Sequence, residues 1–480
     1  MKSLAKIDQQ FVWHPFTQMR DWLKHNPIVI VSGHGAVLRD AKDREYLDAN
    51  SSIWTNLHGH RHPKINAAIN RQLKKIAHSS ALGLANEPAS LLAEKLVHAA
   101  NPASHNPHLN KVFFSDDGST ALEVALKLAY EFTRRTRGDR SRPRFLSLAG
   151  AYHGDTVGAV SLGHIGLFHR AYSGLLFSTD QVMAPYCYRC PFNRARPERD
   201  DARNYRRCHW ECVGKVEQKF TTQKKKGNLY AAFVFEPRLQ GAAGVIPQPE
   251  GWLRQVSELA RAHGALLIAD EVMTGFGRTN SAPKARSAHP SVFACQEENM
   301  QPDFLCVAKG LTGGYLPMAA TLTTQGVFDA FLGEFEEFKT FFHGHSFTGN
   351  QLGAAAALAS LELLQSKASA DFRKKLEQQL RLELQSLWVL HAVGDIRQVG
   401  LVAGIELVKN WRTRQTFDLR ERIGIRVCEA MARRGVLTRP IGNVILLMPP
   451  YCTAPKQLSK MVSTLAESIA EVIGGARPIG

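Results

Sequence analysis

No apolar run in this chain of 480 residues approaches the roughly 18 residues that a membrane-crossing helix needs. A membrane span is therefore not expected. The opening residues, Met1-Lys-Ser-Leu-Ala-Lys-Ile-Asp-Gln-Gln, lack the apolar core of a secretory signal, so a cytoplasmic location is expected. There is no internal repeat and no long low-complexity linker, which leaves out repeat architectures. Dense basic clusters are scarce as well. Net charge is +17, with dense basic runs at Lys224-Lys225-Lys226 and from Arg203 to Arg207. No module interleaves aromatic and basic residues as RNA-binding folds do, so no nucleic-acid partner is expected. The charge fits a basic soluble enzyme with anionic ligands.

Cysteine is also sparse, at 8 residues, of which Cys295, Cys306, Cys428 and Cys452 are isolated. The other four form Cys187-x2-Cys190-x17-Cys208-x3-Cys212, a spacing near that of four-cysteine zinc sites. The expectation is a set of reduced thiols in a polar inserted loop, with a structural zinc as the alternative, so no metal ligands are assigned. A disulfide framework is not expected in a cytoplasmic chain of this size.

Hydrophobic residues make up 44% and charged residues 21%, a globular balance, and the length allows two or three domains. Ile28 to Val31 and Ala36 to Leu38 read as a hairpin, followed by a turn at Asp40 to Glu45. Pro63 starts a helix. From about 85 to 345 strands and helices alternate. Short apolar strands are expected at Lys111 to Ser115, Phe145 to Leu148, Ala231 to Glu236, Ala265 to Ala269 and Phe304 to Val307. Between the first two, Ser119 to Thr133 repeats apolar residues at the spacing of one helical face. This alternation predicts an α/β domain with a mainly parallel sheet, ligands lying at the carboxyl ends of its strands. Beyond 346 helices are expected at Asn350 to Leu364 and Asp371 to Leu387. Strands follow at Val399 to Leu407 and Val444 to Met448, then a last helix near Lys456 to Ile473. The expected division is a large domain over 76–345 and a smaller α+β domain over 346–480, joined by residues 1–75.

The chemistry lies at the strand ends. Asp270-Glu271 ends one apolar strand and Lys309 follows a later one. A lysine that holds an aldehyde as a Schiff base, with an aspartate that keeps a pyridine nitrogen protonated, is what pyridoxal 5'-phosphate chemistry requires. Ser115-Asp-Asp-Gly118-Ser119-Thr120 joins a strand to the amphipathic helix. Its helix-start amides, the close approach that Gly118 allows and the hydroxyls of Ser119 and Thr120 suit a phosphate; a plain Ser/Thr cap is the bland alternative. Tyr152-His153-Gly154 places an aromatic where it can stack on a ring. Glu236 ends another strand near the substrate region. His343-Gly344-His345-Ser346 offers a second phosphate contact, reaching a neighbouring subunit. Arg439 is placed to grip a substrate carboxylate with two hydrogen bonds.

Gly118-Ser119, Tyr152-His153-Gly154, Asp270 to Thr279, Lys309-Gly310 and Thr348-Gly349-Asn350 together resemble the class III, fold-type I aminotransferases that use pyridoxal 5'-phosphate. The resemblance covers about residues 10 to 475. A narrower set comprises Trp13 to Met19, Ser51 to Trp54, His58-Gly59, His343 to Phe347, Arg439-Pro440 and Leu447 to Tyr451. These resemble the branch of that family serving biotin biosynthesis, which converts 8-amino-7-oxononanoate to 7,8-diaminononanoate with S-adenosylmethionine or lysine as amino donor. The resemblance implies a homodimer with active sites at the subunit interface. It implies that Lys309 is the Schiff-base lysine and Asp270 the pyridinium partner. Gly118, Ser119, His345 and Ser346 would hold the phosphate, and Tyr152 would stack on the ring and line the substrate site. Trp54, Gly344 and Arg439 would contact the keto acid. Members that use S-adenosylmethionine usually carry tyrosines where this chain has Phe16 and Leu446. Both changes remove a hydroxyl from the donor pocket and favour lysine. The alternative reading is another class III aminotransferase acting on an ω-amino acid or diamine. From a different class, a basic zinc-bearing nucleic-acid-binding protein would rest on the charge and the four-cysteine loop alone.

Overall fold

The computed structural model describes residues 3–102, 106–138, 142–279 and 291–474. Its centre is a seven-stranded sheet of β1 (Leu109–Ser115), β2 (Arg144–Leu148), β3 (Asp180–Val182), β4 (Tyr230–Phe235), β5 (Leu266–Asp270), β6 (Phe304–Val307) and β7 (Ala319–Thr324). The spatial order is β1-β7-β6-β5-β4-β2-β3. Pairings from β6 through β3 are parallel, and β7 runs antiparallel to both β6 and β1. The expected mainly parallel α/β sheet is present. All residues of β4 and β6 are buried, as continuous apolar strands covered on both faces must be. The helix Gly118–Arg137 packs on one face through Ala121, Leu122, Val124, Ala125, Leu128 and Ala129. Its apolar spacing predicted that face.

Register fixes the site. Ala269 of β5 pairs with Phe235 of β4, and Asp270 pairs with Cys306 of β6. Three neighbouring parallel strands therefore end at one level, and Glu236, Asp270 and Lys309 leave them side by side.

Two smaller sheets tie the chain ends together. Ile30–His34, Val37–Asp40 and Glu45–Asp48 form a meander, to which Val436–Leu437 adds in parallel. Val393–Val399, Val402–Asn410, Val444–Leu447 and Pro440–Ile441 form the second, with Gln415–Thr416 at its side. The single strand expected over Val399 to Leu407 is in fact a hairpin turning at Gly400. There φ is +58°, and a Cβ would stand 2.3 Å from the carbonyl oxygen of Arg278. Only glycine fits that turn.

The hairpin carries a buried ion network. Arg397 is 1% exposed and donates to Asp395 (2.9 Å), Glu406 and the carbonyls of Gly244 and Val245. Arg189 also donates to Glu406. Arg397→Met should cost about 3 kcal/mol or more, because two buried carboxyls lose their shared cation. Chemical denaturation at neutral pH measures this, and a loss below about 1 kcal/mol would contradict the account.

Candidate active site

Lys309 follows β6 in a left-handed conformation, φ +43°, strained for a residue with a side chain. It is half-buried. Burial lowers the pKa of its ammonium, against the opposing charges of Asp270 and Glu236. A lysine whose charged form is disfavoured is a better nucleophile and base near neutral pH. The ammonium stands 4.6 Å from the ring centre of Trp54.

Asp270 closes β5. Its Oδ2 pairs with Nδ1 of His153 at 2.7 Å, and its Oδ1 accepts from the Val272 amide at 3.0 Å. His153 Nε2 is buried with no hydrogen-bond partner among the described residues. Glu271, the next residue, points the other way, as alternating strand side chains do. It accepts from the amides of Ala294 (2.5 Å) and Cys295 (2.8 Å), and burial pushes its pKa up to about 7. Glu271 braces the neighbouring loop, while Asp270 faces the cluster. Glu236 is 6% exposed; its Oε2 accepts from the Gly241 amide at 2.9 Å.

Trp54 reaches Lys309 from a kinked segment. Ser51, Ser52 and Trp54 all have positive φ, at 47°, 62° and 68°. Asp48 offsets this strain by accepting from the Ser52 amide with both oxygens at 2.8 Å, and the Trp54 indole donates to Asn50 Oδ1 at 3.0 Å.

The helix Gly118–Arg137 is capped by Asp117, which accepts from the Thr120 amide at 2.9 Å. Neither Ser119 nor Thr120 is the cap. The Thr120 hydroxyl is committed to this turn, donating to the Asp117 carbonyl. The amides of Gly118 and Ser119 fall in the first turn, where no intrahelical acceptor exists. A Cβ on Gly118 would lie 2.6 Å from Val272, so the loop and the Asp270 strand end touch. Ser119 Oγ lies 2.8 Å from Thr156 Oγ1, and Gly154 (φ +124°) leaves it room, since a Cβ there would stand 2.3 Å away.

The Tyr152 hydroxyl donates to Asp155 at 2.6 Å. Its ring lies edge-on to Phe16 (6.4 Å) and Phe168 (6.2 Å). Leu446 is buried in the cluster that Trp54 packs against. Both positions that lack a tyrosine hydroxyl thus border the site.

His345 Nδ1 lies 3.5 Å from Asp116, beside the Gly118 loop, and its Nε2 is buried without a partner among the described residues. Gly344 and Ser346 are exposed. Arg439 is exposed between Leu437 and Pro440. Among the described residues no hydrogen bond or ion pair joins these three to Lys309, Asp270 or Glu236. Sequence reasoning gave no separate role to His153, Asp48 or Thr156. Only the Tyr152-His153-Gly154 motif pointed towards the first.

The loop cysteines Cys187, Cys190, Cys208 and Cys212 line one small cavity with Arg206, and all are free. Burial pushes the thiols of Cys187 and Cys212 up to about 12 and about 11. Among the described residues no group of His, Cys, Asp and Glu stands ready to hold a metal ion. No helix of the described residues is long and apolar enough to cross a membrane.

A buried amine, a hydrogen-bonded carboxylate at the next strand end and a helix start with open amides fit a phosphorylated pyridine aldehyde. The class-III aminotransferase family model matches residues 19–469. The chain belongs to the class-III aminotransferases. A curated relative of this aminotransferase, adenosylmethionine-8-amino-7-oxononanoate aminotransferase of Geobacter sulfurreducens, is 45% identical over 99% of both chains. The crystal structure of the protein of that name from Methanocaldococcus jannaschii is 39% identical, with TM-score 0.87 over 98% of this chain and 99% of that one. A PLP-bound amine transaminase from an uncultivated Pseudomonas species is 32% identical, with TM-score 0.86 over 96% and 99%.

Proposed function

We propose that this aminotransferase uses pyridoxal 5'-phosphate to convert 8-amino-7-oxononanoate to 7,8-diaminononanoate in biotin biosynthesis. Lysine or S-adenosylmethionine is the amino donor, and the missing hydroxyls at Phe16 and Leu446 favour lysine. The observation that carries this is full-length similarity to relatives named for that acceptor, on a chain whose Lys309 and Asp270 meet at adjacent strand ends.

The bound cofactor supplies an aldehyde that links to amines and a ring that accepts an electron pair. Lys309 Nζ would hold that aldehyde. As a free amine it would be the base that takes the proton from the donor α-carbon. Asp270, fixed by His153 and Val272, would keep the ring nitrogen protonated. The amides of Gly118 and Ser119, with His345 and Ser346, hold the phosphate. Tyr152 packs on the ring and lines the substrate site. Trp54 and Gly344 line the acceptor site, and Arg439 binds the acceptor carboxylate. The active unit is a cytoplasmic homodimer, and the exposure of Gly344, Ser346 and Arg439 in one chain fits sites completed between subunits.

Single-turnover absorbance tests this reading. Lysine alone should convert the cofactor to its amine form, and 8-amino-7-oxononanoate should reverse the change. Conversion by S-adenosylmethionine would show that Phe16 and Leu446 do not set donor choice. No reversal by the amino ketone would move the assignment to an ω-amino acid or diamine aminotransferase.

A further inference from the structure

The Glu236 carboxyl is buried at the cluster, and only one of its oxygens is satisfied. Oε2 is held by the Gly241 amide at 2.9 Å, whereas Oε1 has no hydrogen-bond partner among the described residues. Native interiors rarely leave such an atom unpaired, because the desolvation cost is not recovered. Asp270, by contrast, is committed to His153 and Val272. The charged neighbours of Glu236 are Asp270 from β5 and Lys309 after β6. Two carboxyls thus face one amine whose own charge burial disfavours.

The carboxyl also borders the substrate side. A Cβ added at Gly241 would lie 2.7 Å from Met273 Cε, 3.4 Å from Trp54 Cζ3 and 3.5 Å from Glu236 Oε2. Glu236, Trp54 and Met273 therefore converge on one wall, and Lys309 lies over the Trp54 ring. A ligand group that meets Glu236 sits close to the atom that reacts at Lys309.

We propose that Glu236 selects the acceptor: its Oε1 receives the ammonium on the carbon next to the reacting ketone, separating an α-amino ketone from a plain ketone. This rests on the acceptor proposed above, whose amino group is one bond from its carbonyl. Burial, with the charge of Asp270, pushes the Glu236 pKa up to about 8, while the Gly241 amide and Lys309 pull it down. An arriving ammonium favours the ionised carboxylate, so Glu236 releases its proton as the amino ketone binds. A plain ketone gives no such return and leaves the group protonated. Protonated Glu236 also tolerates the carboxylate of the amino donor, so one site serves both half-reactions.

The test compares kcat/KM for 8-amino-7-oxononanoate and for 7-oxononanoate, using the holoenzyme with saturating donor. The wild-type protein should prefer the amino ketone by at least roughly 30-fold, the scale of one buried charge pair. In Glu236→Gln that ratio should fall at least about tenfold. A ratio that persists while both rates fall together would make Glu236 merely structural and overturn the proposal. So would a wild-type protein without preference, a result that needs no variant. If Glu236→Gln does not fold, the wild-type pH profile decides. The preference for the amino ketone over the plain ketone should weaken as pH falls below about 8 and Glu236 takes up its proton; a preference constant with pH would refute the assignment. Turnover of neither ketone, with good activity on ω-amino acids, would instead remove the acceptor reading itself.

Discussion

Turnover should fall by roughly four orders of magnitude or more when Lys309 is replaced by alanine. Two losses combine. In the proposed role, the variant would lack both the amine that holds the aldehyde and the base that takes the donor's proton. Burial already weakens the charged form of Lys309. No other residue at the strand ends replaces it, since Asp270 is tied to His153 and Val272 and Glu236 is a carboxyl. Folding should survive, because alanine removes a buried ammonium rather than a packing surface. The checks are kcat, loss of the visible band of the bound cofactor, and an unchanged far-ultraviolet dichroism spectrum. A folded variant that kept about one per cent of turnover would remove Lys309 from this role.

Asp270→Asn should lower kcat by about 10² to 10³-fold, the usual scale for deleting one preorganised charge aimed at the reacting group. The substitution keeps size and shape, so the Val272 amide retains an acceptor and the strand end keeps its packing. What is lost is the negative charge proposed to face the ring nitrogen. The cost should fall on kcat in both half-reactions, with a smaller effect on KM, because a charge felt mainly in the transition state acts on the chemical step. Loss of less than about tenfold in kcat would mean that the protonation of the ring does not depend on Asp270. The double variant with Lys309→Ala should be little worse than Lys309→Ala alone, since the two residues act as a unit.

Much of this site was legible in the chain before any coordinates. Lys309 and Asp270 each end an apolar segment bounded by polar and glycine residues, and such a boundary is a local signal. The Gly118 loop announced itself in the same way, as a strand passing into an amphipathic helix. The legible features have their limits, however. The short strand Asp180–Val182 and the antiparallel strand Ala319–Thr324 carried no clear period, and both take their structure from the neighbours they pair with. The turn at Gly400 was hidden inside an apolar run, because its cause is the approach of the Arg278 carbonyl from a distant segment. The bond between His153 and Asp270 had no sequence signature either, as the partners are 117 positions apart.

The sequence by itself determined the family and the α/β order of elements, and it singled out the lysine and aspartate proposed as the reactive amine and its carboxylate partner. It could do so because hydrophobic period, strand ends and turn residues are properties of short segments. Tertiary structure alone decided what those residues face. Strand order and register set Glu236 level with Asp270, the kink at Ser51 to Trp54 laid an indole beside the Lys309 ammonium, and packing left Glu236 Oε1 unpaired. Which groups are drawn out of water together depends on how distant segments pack, and that shared burial moves the pKa values on which the proposed chemistry depends.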